Sequence, residues 1–343
     1  MLIDYTLLYN RIKTHLITLG CNPELSENIT HSLMMAEACG VETHGLRMLK
    51  DHISRIKSGF YNIKGNIIIE NKTPSFARVD CCGMVGMDSA TKCMQMAIDE
   101  CKKTGMFSVF ANNANTFSAA FVYTLLAANQ GMIGVAMSNA PAKMPAIGGK
   151  QKLLGTNPLS YSIPSLEKDP IVFDMATSIV AQSKINMAKD KGEKIPEGWA
   201  LNEDGYPTTD ALEACKGMIL PMAGPKGYGL AMMIDIIAGV LSGAAFLDGV
   251  GRFYSKDNKP MNVGHCFIAI DPKKIYGDDF YRMIDNYVYH VLSSSTVQGE
   301  TIQMPGARKF KRYKDAINNG IDISDSLKKQ LEEEGINFNN EEV

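Results

Sequence analysis

The amino-acid sequence predicts a mixed α/β protein with two subdomains. Its 343 residues exceed the roughly 250 to 300 residues at which one hydrophobic core usually stops growing. Helical periodicity dominates the start of the chain and returns near its end, whereas short β-rich runs separated by Gly, Asn and Pro fill the middle. We therefore expect an N-terminal helical domain over residues 1–72, a mixed α/β domain over 73–277 and a C-terminal helical segment over 278–343.

The N-terminal region predicts three helices. Residues 4–19 carry a helical stripe of apolar side chains, namely Leu7, Leu8, Ile12, Leu16 and Ile17. A second helix begins at "NPELSENITHS" and a third at "LRMLKDHISRIKSG". Gly20, Gly40 and Gly59 lie where helices commonly end.

The middle region predicts strands interrupted by a few helices. The stretch "GNIIIENKTPSFARVDCCG" is typical of two strands around a proline turn, and "VGHCFIAIDP" of another strand. The apolar stretch "GPKGYGLAMMIDIIAGVLSGAAF" predicts a long helix. Asp235 near its middle and its internal glycines argue against a membrane span, so we expect burial within the protein.

Composition limits the class of partner and the compartment. A net charge of -2, with 45% hydrophobic and 21% charged residues, gives no electrostatic reason to expect nucleic acid. The eight cysteines include no C-x-x-C pair, which predicts reduced thiols and no structural zinc or other metal site. The N-terminal stretch is amphipathic rather than a signal peptide. We expect a cytoplasmic protein that acts on small molecules.

His44, in the stretch "VETHGLRML", is the first candidate for chemistry. Imidazole titrates near neutral pH and is the usual proton donor to a developing alkoxide, although a single histidine is more often structural. Arg47 lies three residues later and its guanidinium suits bidentate binding of a carboxylate. Asp174, in "FDMATS", is a candidate for orienting an imidazole or binding a ribose hydroxyl, with a helix N-cap as the structural alternative.

The glycine-rich stretches match no common nucleotide motif. "AIGGKQKLLGTNP", "AGPKGYG" and "MPGARK" fit neither G-x-G-x-x-G nor G-x-x-x-x-G-K-[ST], which argues against Rossmann and P-loop sites. Lys226 nevertheless combines a cation with the N-terminus of a predicted helix, the elements that hold a phosphate. A solvent-facing lysine at a helix start is the structural alternative.

Taken together, these motifs resemble a known family. In sequence order they are "THGLR", "GMIGVAMSN", "GGKQKLLGTNPLSYSIP", "FDMATS", "PTTD", "AGPKGYGLAMMIDIIAGVLSG", "GHCFIAIDP" and "MPGAR". Their order and spacing resemble the malate/L-lactate dehydrogenase family that is unrelated to the Rossmann dehydrogenases. That family also contains ureidoglycolate and sulfolactate dehydrogenases, 2,3-diketogulonate reductases and cyclic imino acid reductases. The resemblance covers roughly residues 5 to 310, and the pair "GTNP" and "GPKGYG" is its most specific part.

The resemblance implies a fold and an activity. It implies a helical domain built from both chain ends, so that residues 278–343 pack with the N-terminal domain, and a non-Rossmann cofactor domain with a mixed or antiparallel sheet. It also implies a homodimer. Family members transfer a hydride between NAD or NADP and C2 of a small 2-oxo or 2-hydroxy carboxylic acid, or the equivalent imine.

The resemblance also assigns roles by position. It places the proton donor and acceptor on His44 and an aspartate that orients the imidazole on Asp174. With Arg47 added from its own chemistry, the predicted substrate positions are Thr43, Arg47, His52, Thr116, Thr156 and His265. The cofactor positions that it implies are Ser138, Asn139, Asp174, Met175, Ala176, Lys226, Gly227, Pro305 and Gly306.

Three positions depart from the family pattern. Many members carry a second histidine and a glycine where this chain has Thr116 and Ser118 in "NANTFSAA". A threonine hydroxyl cannot take up a proton near neutral pH, so His44 remains the main proton carrier. The family arginine falls on Met48, one residue after Arg47, and on a helix one residue turns the side chain by about 100°. Carboxylate binding by Arg47 is therefore in doubt, and His52 is the alternative pocket residue.

The leading prediction is an NAD(P)-dependent 2-hydroxy acid dehydrogenase or 2-oxo acid reductase. The alternatives are a sugar-acid or cyclic imine reductase of the same fold, and a cofactor-binding dimer that has lost turnover. The choice between NAD and NADP stays open. A basic cluster after the "MPGA" turn is either a reader of the NADP phosphate or a solvated face, and it contains Arg308, Lys309, Lys311 and Arg312.

Overall fold

A computed structural model describes residues 1–253 and 260–338 of the chain. The helices in this part are α1 (Tyr5–Thr18), α2 (Pro23–Ala38), α3 (Leu49–Lys57), α4 (Gly86–Thr104), α5 (Phe121–Ala128), α6 (Gln182–Lys191), α7 (Ala211–Lys216), α8 (Pro225–Ile234), α9 (Lys273–Tyr276), α10 (Asp279–Leu292), α11 (Ala307–Asn319) and α12 (Asp325–Glu333). The strands are β1 (Leu2–Ile3), β2 (Ile68–Lys72), β3 (Phe76–Asp80), β4 (Met106–Ala114), β5 (Ile133–Ser138), β6 (Met144–Pro145), β7 (Lys152–Leu154), β8 (Leu159–Ile163), β9 (Ile171–Met175), β10 (Ala200–Leu201), β11 (Pro207–Thr208), β12 (Met218–Ile219), β13 (Val263–Ile270) and β14 (Ile321–Asp322).

A seven-stranded sheet with the order β2-β3-β4-β13-β5-β8-β9 forms the centre of the molecule. Only the pair β3–β4 is parallel, and the other neighbours in this sheet run antiparallel. A Rossmann sheet is parallel because helices connect its successive strands, so this topology confirms the predicted non-Rossmann, mixed sheet.

Both chain ends contribute to one apolar core beside the sheet. Strand β1 pairs with β14, so that Ile3 lies opposite Ile321. The core there joins buried side chains of the first three helices to those of α11 and α12, among them Leu8, Leu33, Leu49, Ala316, Leu327 and Leu331. The predicted helical unit built from both ends is therefore present.

The sequence signals that begin and end the helices act as expected. The side chain of Asp4 accepts a hydrogen bond from the backbone N–H of Leu7 at the start of α1, and Asn22 caps α2 in the same way. Pro23 occupies the first turn of α2, where its missing N–H costs nothing. Helix α4 ends at Gly105, whose φ of 85° is readily adopted by glycine.

Two parts of the predicted organisation differ in detail. The predicted third helix begins only at Leu49, after a 3-10 turn over Leu46–Met48. Helix α10 packs on the sheet side of the protein, where the Tyr281 hydroxyl donates to the carbonyl of Gly131 at 2.7 Å. The domain limits at 72/73 and 277/278 stay predictions.

The long apolar helix is α8, which continues as a π-helix over Asp235–Val240. Asp235 is 3% exposed and its carboxylate accepts a hydrogen bond from the N–H of Leu247 at 3.0 Å. Among residues 1–253 and 260–338, no helix is long and apolar enough to cross a bilayer.

Candidate active site

His44 lies in a short 3-10 turn, Glu42–His44, whose backbone is held by a hydrogen bond on each side. The Ser118 hydroxyl, in the loop after β4, donates to the carbonyl oxygen of His44. On the other side, the N–H of Leu46 donates to Glu37 Oε2 at 2.9 Å. Gly45 makes this approach possible, because a Cβ at that position would lie 2.2 Å from the same oxygen. The backbone around His44 is thus held by α2 and by the 115–120 loop.

The environment of His44 favours the neutral imidazole. Its Nδ1 lies 3.0 Å from the Thr43 hydroxyl. Part of the residue reaches solvent, but the surrounding protein removes water from the ring and thereby lowers its pKa, and the positive charge of Lys309 lowers it further. A neutral imidazole is the form that accepts a proton from a hydroxyl group.

Asp174 lies at the end of β9, and its partner is Lys309 rather than His44. Lys309 Nζ lies 3.6 Å from Asp174 Oδ2, and Asp174 and His44 share no hydrogen bond. Burial raises the pKa of Asp174, and Lys309 partly offsets that rise. The prediction that Asp174 orients the imidazole directly is therefore corrected: an ammonium group from α11 pairs with the carboxylate and acts on the charge of His44.

The Pro305–Gly306 turn brings Lys309 to this place. The N–H of Val172, on β9, donates to the Pro305 carbonyl at 3.1 Å. Gly306 has a φ of 92°, and a Cβ there would lie 2.9 Å from the Cβ of Val172. The turn therefore packs on the strand that carries Asp174 and directs the first turn of α11 toward His44.

Arg47 has a different partner from the one predicted. Its Nη2 donates to Glu42 Oε2 at 2.9 Å, and the two side chains are 53% and 52% exposed. Met48, at the position of the family arginine, is 8% exposed in the core of the helical unit. Neither residue is placed to hold a substrate carboxylate, because one guanidinium is already paired at the surface and the other side chain is apolar and buried.

His52 is a core residue and does not line a substrate pocket. It is 0% exposed on α3, its Nδ1 lies 2.9 Å from the Tyr61 hydroxyl, and its ring centroid lies 5.1 Å from that of Phe253. Burial lowers its pKa to about 3. The substrate prediction for His52 is therefore wrong, since neighbouring side chains cover the ring completely.

His265 is also structural. It lies on β13 with 0% exposure, its Nε2 donates to the Asn115 carbonyl at 3.1 Å, and its Nδ1 lies 2.9 Å from Ser138 Oγ. Burial lowers its pKa to about 3. Both ring nitrogens are engaged, so direct substrate binding by His265 is not supported. The ring instead holds the loop that leads to Ser118, through its hydrogen bond to the Asn115 carbonyl.

The remaining predicted positions fall into two groups. Ser138 and Asn139 are 4% and 1% exposed, and Asn139 bonds to the Ala245 carbonyl and the Gly264 N–H at 2.7 and 2.9 Å. Their backbone N–H groups also donate within the protein, to the carbonyls of Pro158 and Gly264, so both residues have structural roles. The second group is half-buried or exposed, and it comprises Thr43, Thr116, Thr156, Asp174, Met175 and Ala176.

Lys226 and Gly227 begin α8 in an open turn. Gly224 precedes the helix with a φ of 58°, and Cβ atoms at Gly224 and Gly229 would meet nothing within 4 Å. Lys226 is exposed. Pro225 has no N–H and the Gly227 N–H donates to the Met222 carbonyl at 3.0 Å, so the N–H and the ammonium group of Lys226 are what this turn offers a phosphate.

A cavity of about 350 Å³ borders the 113–115 loop. Its lining includes Phe60, Cys82, Asn113, Asn115 and Asn262, and none of the predicted site residues. Within the described part of the chain, no three His, Cys, Asp or Glu side chains are grouped so that they could hold a metal ion.

Four side chains from distant parts of the chain thus form what we call the His44 cluster: His44, Ser118, Asp174 and Lys309. Ser118 was noticed in the sequence only as a departure from the family, and Lys309 only within a basic cluster. Ser118 has a φ of 70°, which is unusual for a residue with a Cβ, and it is 8% exposed. A buried serine with a positive φ carries backbone strain that a glycine would not have. Such strain is the signal that a functional contact of the side chain compensates for it.

Replacing Ser118 by glycine is expected to lower kcat about fivefold while changing the free energy of unfolding by less than about 1 kcal/mol. Glycine adopts the positive φ without strain, which offsets the lost hydrogen bond, but the His44 carbonyl loses its anchor. Urea unfolding and steady-state kinetics measure the two effects. Ser118→Ala keeps the Cβ at positive φ and should lose both stability and kcat. An unchanged kcat in Ser118→Gly would show that the contact does not position His44.

With this geometry established, known proteins were compared with the chain. The family described as malate/L-lactate dehydrogenase matches residues 3–332. A malate/(S)-sulfolactate dehydrogenase of Methanothermus fervidus is 36% identical over 316 residues, 92% of this chain and 91% of its own. The solved structure of sulfolactate dehydrogenase from Methanocaldococcus jannaschii superposes with a TM-score of 0.91 at 33% identity, covering 97% and 96% of the two chains.

Two further relatives carry a cofactor in their names. A (2R)-3-sulfolactate dehydrogenase (NADP(+)) of Chromohalobacter salexigens is 31% identical over 83% of both chains. A ureidoglycolate dehydrogenase (NAD(+)) of Escherichia coli K12 is 29% identical over 96% of this chain and 95% of its own. The predicted enzyme class, an NAD(P)-dependent dehydrogenase, is confirmed. The chain belongs to the malate/L-lactate dehydrogenase family.

Proposed function

We propose that this enzyme transfers a hydride between a nicotinamide cofactor and C2 of a small 2-oxo or 2-hydroxy carboxylic acid similar to malate, lactate or sulfolactate. His44 exchanges the proton with the substrate oxygen. The observation that carries the proposal is the His44 cluster, in which an imidazole with an anchored backbone lies within electrostatic range of Lys309, the partner of Asp174. Relatives named for malate and sulfolactate support this substrate class.

The residues present fit a nicotinamide cofactor. Lys226 and the open N-terminal turn of α8 would hold its phosphates, since helix N–H groups and a cation favour anions. Met175, Ala176 and the Pro305–Gly306 turn, which packs on β9, would hold the part nearer His44. When bound, the cofactor supplies or accepts the hydride.

Thr116 leaves the proton transfer to His44. A threonine hydroxyl donates a hydrogen bond but does not take up a proton near neutral pH. The surroundings of His44 in the free protein favour the neutral ring, because desolvation by neighbouring groups and the charge of Lys309 lower its pKa. The neutral ring accepts a proton when a hydroxy acid is oxidised, and a protonated ring returns it when an oxo acid is reduced.

We also propose that the enzyme is a cytoplasmic homodimer. Helix α8 and the following π-helix expose large apolar side chains without a covering element, among them Met233 at 40%, Ile236 at 51%, Val240 at 48% and Leu241 at 55%. An exposed apolar strip of this kind is typical of a subunit interface. All eight cysteines are free thiols, which suits a reducing compartment.

The test is a substrate panel with purified protein. NADH and NADPH oxidation is followed with oxaloacetate, pyruvate, sulfopyruvate, sugar-derived 2-oxo acids and cyclic imines, and cofactor binding by nicotinamide fluorescence. We expect turnover with a small 2-oxo acid and a mass of two chains in solution. Turnover only with sugar acids or imines would support the alternative reductase. Binding without any turnover would support an inactive cofactor-binding dimer.

A further inference from the structure

Lys309 places an ammonium group with unused hydrogen-bonding capacity inside the His44 cluster. Its Nζ lies 3.6 Å from Asp174 Oδ2, longer than the roughly 2.7 to 2.9 Å of a charge-assisted hydrogen bond. The ammonium group has three N–H donors, and within residues 1–253 and 260–338 it has no acceptor closer than this. An anion with oxygen acceptors therefore gains hydrogen bonds that the protein itself does not supply.

The Lys309 side chain is held within electrostatic range of His44. Its Nζ is 4.6 Å from the centroid of the Phe121 ring, and the side chain is 23% exposed. Phe121 starts α5, three residues after Ser118, whose hydroxyl holds the His44 backbone. The cation is thus half-buried and fixed by an aromatic ring, unlike the exposed lysines further along α11.

We propose that Lys309 binds the carboxylate of the substrate, the role that the sequence suggested first for Arg47. This inference rests on the proposed function. Arg47 is paired with Glu42 at the surface and Met48 is buried, so the chain offers Lys309 in place of an arginine from the His44 turn. The ligand class is a 2-oxo or 2-hydroxy carboxylate, with its C2 oxygen directed at the imidazole.

Carboxylate binding at Lys309 also changes the charge that His44 experiences. Lys309 from α11 is the charged group that acts on His44, and it is paired with Asp174 from β9. Glu37 from α2 bonds to the neighbouring Leu46 N–H, and Glu42 and Arg47 pair with each other on either side of the ring in the sequence. An anion bound at Lys309 offsets the one cation that disfavours the imidazolium. Binding of a 2-oxo acid thereby promotes protonation of the residue that donates the proton.

The test compares Lys309→Met, Lys309→Arg and Lys314→Met. Methionine keeps an apolar side chain over Phe121 without the charge, arginine keeps the charge, and Lys314 is an exposed lysine on the same helix. We expect Lys309→Met to raise KM for the best 2-oxo acid about 10- to 100-fold, since a hydrogen bond to a charged group contributes about 1.5 to 3 kcal/mol. Lys309→Arg should recover most of the affinity, and Lys314→Met should match the parent enzyme.

Two comparisons separate substrate binding from other roles. The amide of the same 2-oxo acid lacks the negative charge, so its KM should change little in Lys309→Met. The KM for NADH or NADPH should stay unchanged. A rise in cofactor KM with no effect on the acid would place Lys309 at the cofactor and overturn the proposal, as would equal losses for acid and amide.

A binding measurement keeps the inference testable even if no turnover is found. Oxamate, a carboxylate that cannot be reduced, is titrated into protein saturated with NADH or NADPH and followed by calorimetry. Binding that is lost in Lys309→Met and kept in Lys314→Met supports the site. Binding that is equal in the two variants, or absent from the parent protein, overturns it. The pKa of His44, followed by NMR, should rise in Lys309→Met.

Discussion

Replacing His44 by alanine is expected to lower kcat by about 10²- to 10⁴-fold, the usual contribution of a positioned general acid or base. The imidazole is the proton-exchanging group that the proposed function assigns to the His44 cluster, and Thr116 offers no substitute. Nicotinamide fluorescence should show that NADH or NADPH still binds. Steady-state kinetics with the best 2-oxo acid measure the loss.

The matched control for this variant is His290→Ala, which removes an exposed imidazole from α10. It should leave kcat unchanged. If His44→Ala keeps more than about a tenth of the parent kcat, an effect below the range for general acid–base catalysis, then the proton is carried by another group and the assignment of His44 is wrong.

Acidification from pH 8 to pH 5 is expected to lower the free energy of unfolding by about 4 kcal/mol through His52 and His265 alone. Both rings are 0% exposed and burial lowers both pKa values to about 3. In the unfolded chain a histidine has a pKa near 6.5. Below that pH the two histidines are protonated in the unfolded state but not in the folded state. Their contribution to the free energy of unfolding is therefore fully present above about pH 7 and is lost as the pH falls toward 3.

Urea unfolding at pH 8, 7, 6 and 5 measures how steeply the free energy of unfolding changes with pH. His52→Gln and His265→Gln each remove one titrating ring, so each should cut the histidine contribution by half even if the variant is less stable throughout. Carboxyl groups with raised pKa values, such as Glu37 and Asp174, act in the opposite direction but are common to all variants. His290→Gln, at an exposed ring, should keep the parent slope. If the free energy of unfolding of His52→Gln depended on pH as steeply as that of the parent protein, the prediction would be contradicted.

The burial of both histidines could have been read from local patterns. His52 lies three residues after Leu49 and four before Ile56, on the apolar stripe of α3, and all three side chains are buried. His265 stands within the apolar run of "VGHCFIAI", which is typical of a strand covered on both faces. In both cases the family position suggested a ligand contact, and the hydrophobic periodicity was the better guide.

Arg47 and Met48 illustrate the limit of helical reasoning. A shift of one residue on a regular helix turns a side chain by about 100°, which correctly raised doubt about Arg47. The turn is instead 3-10 on either side of Gly45, and Arg47 meets Glu42. The conformation follows from Glu37 and Ser118 holding the neighbouring peptide groups, contacts that span 9 and 74 residues of sequence.

The sequence by itself determined the family, the enzyme class and the mixed, non-Rossmann fold, because ordered motifs, hydrophobic periodicity and helix caps are all local properties of the chain. It also singled out His44 as the proton carrier, which stays a prediction. Only the tertiary structure decided that Asp174 pairs with Lys309 and that Ser118 holds the His44 carbonyl. The physical reason is that the Pro305–Gly306 turn packs on β9 and carries α11 across the sheet, which joins residues separated by more than a hundred positions.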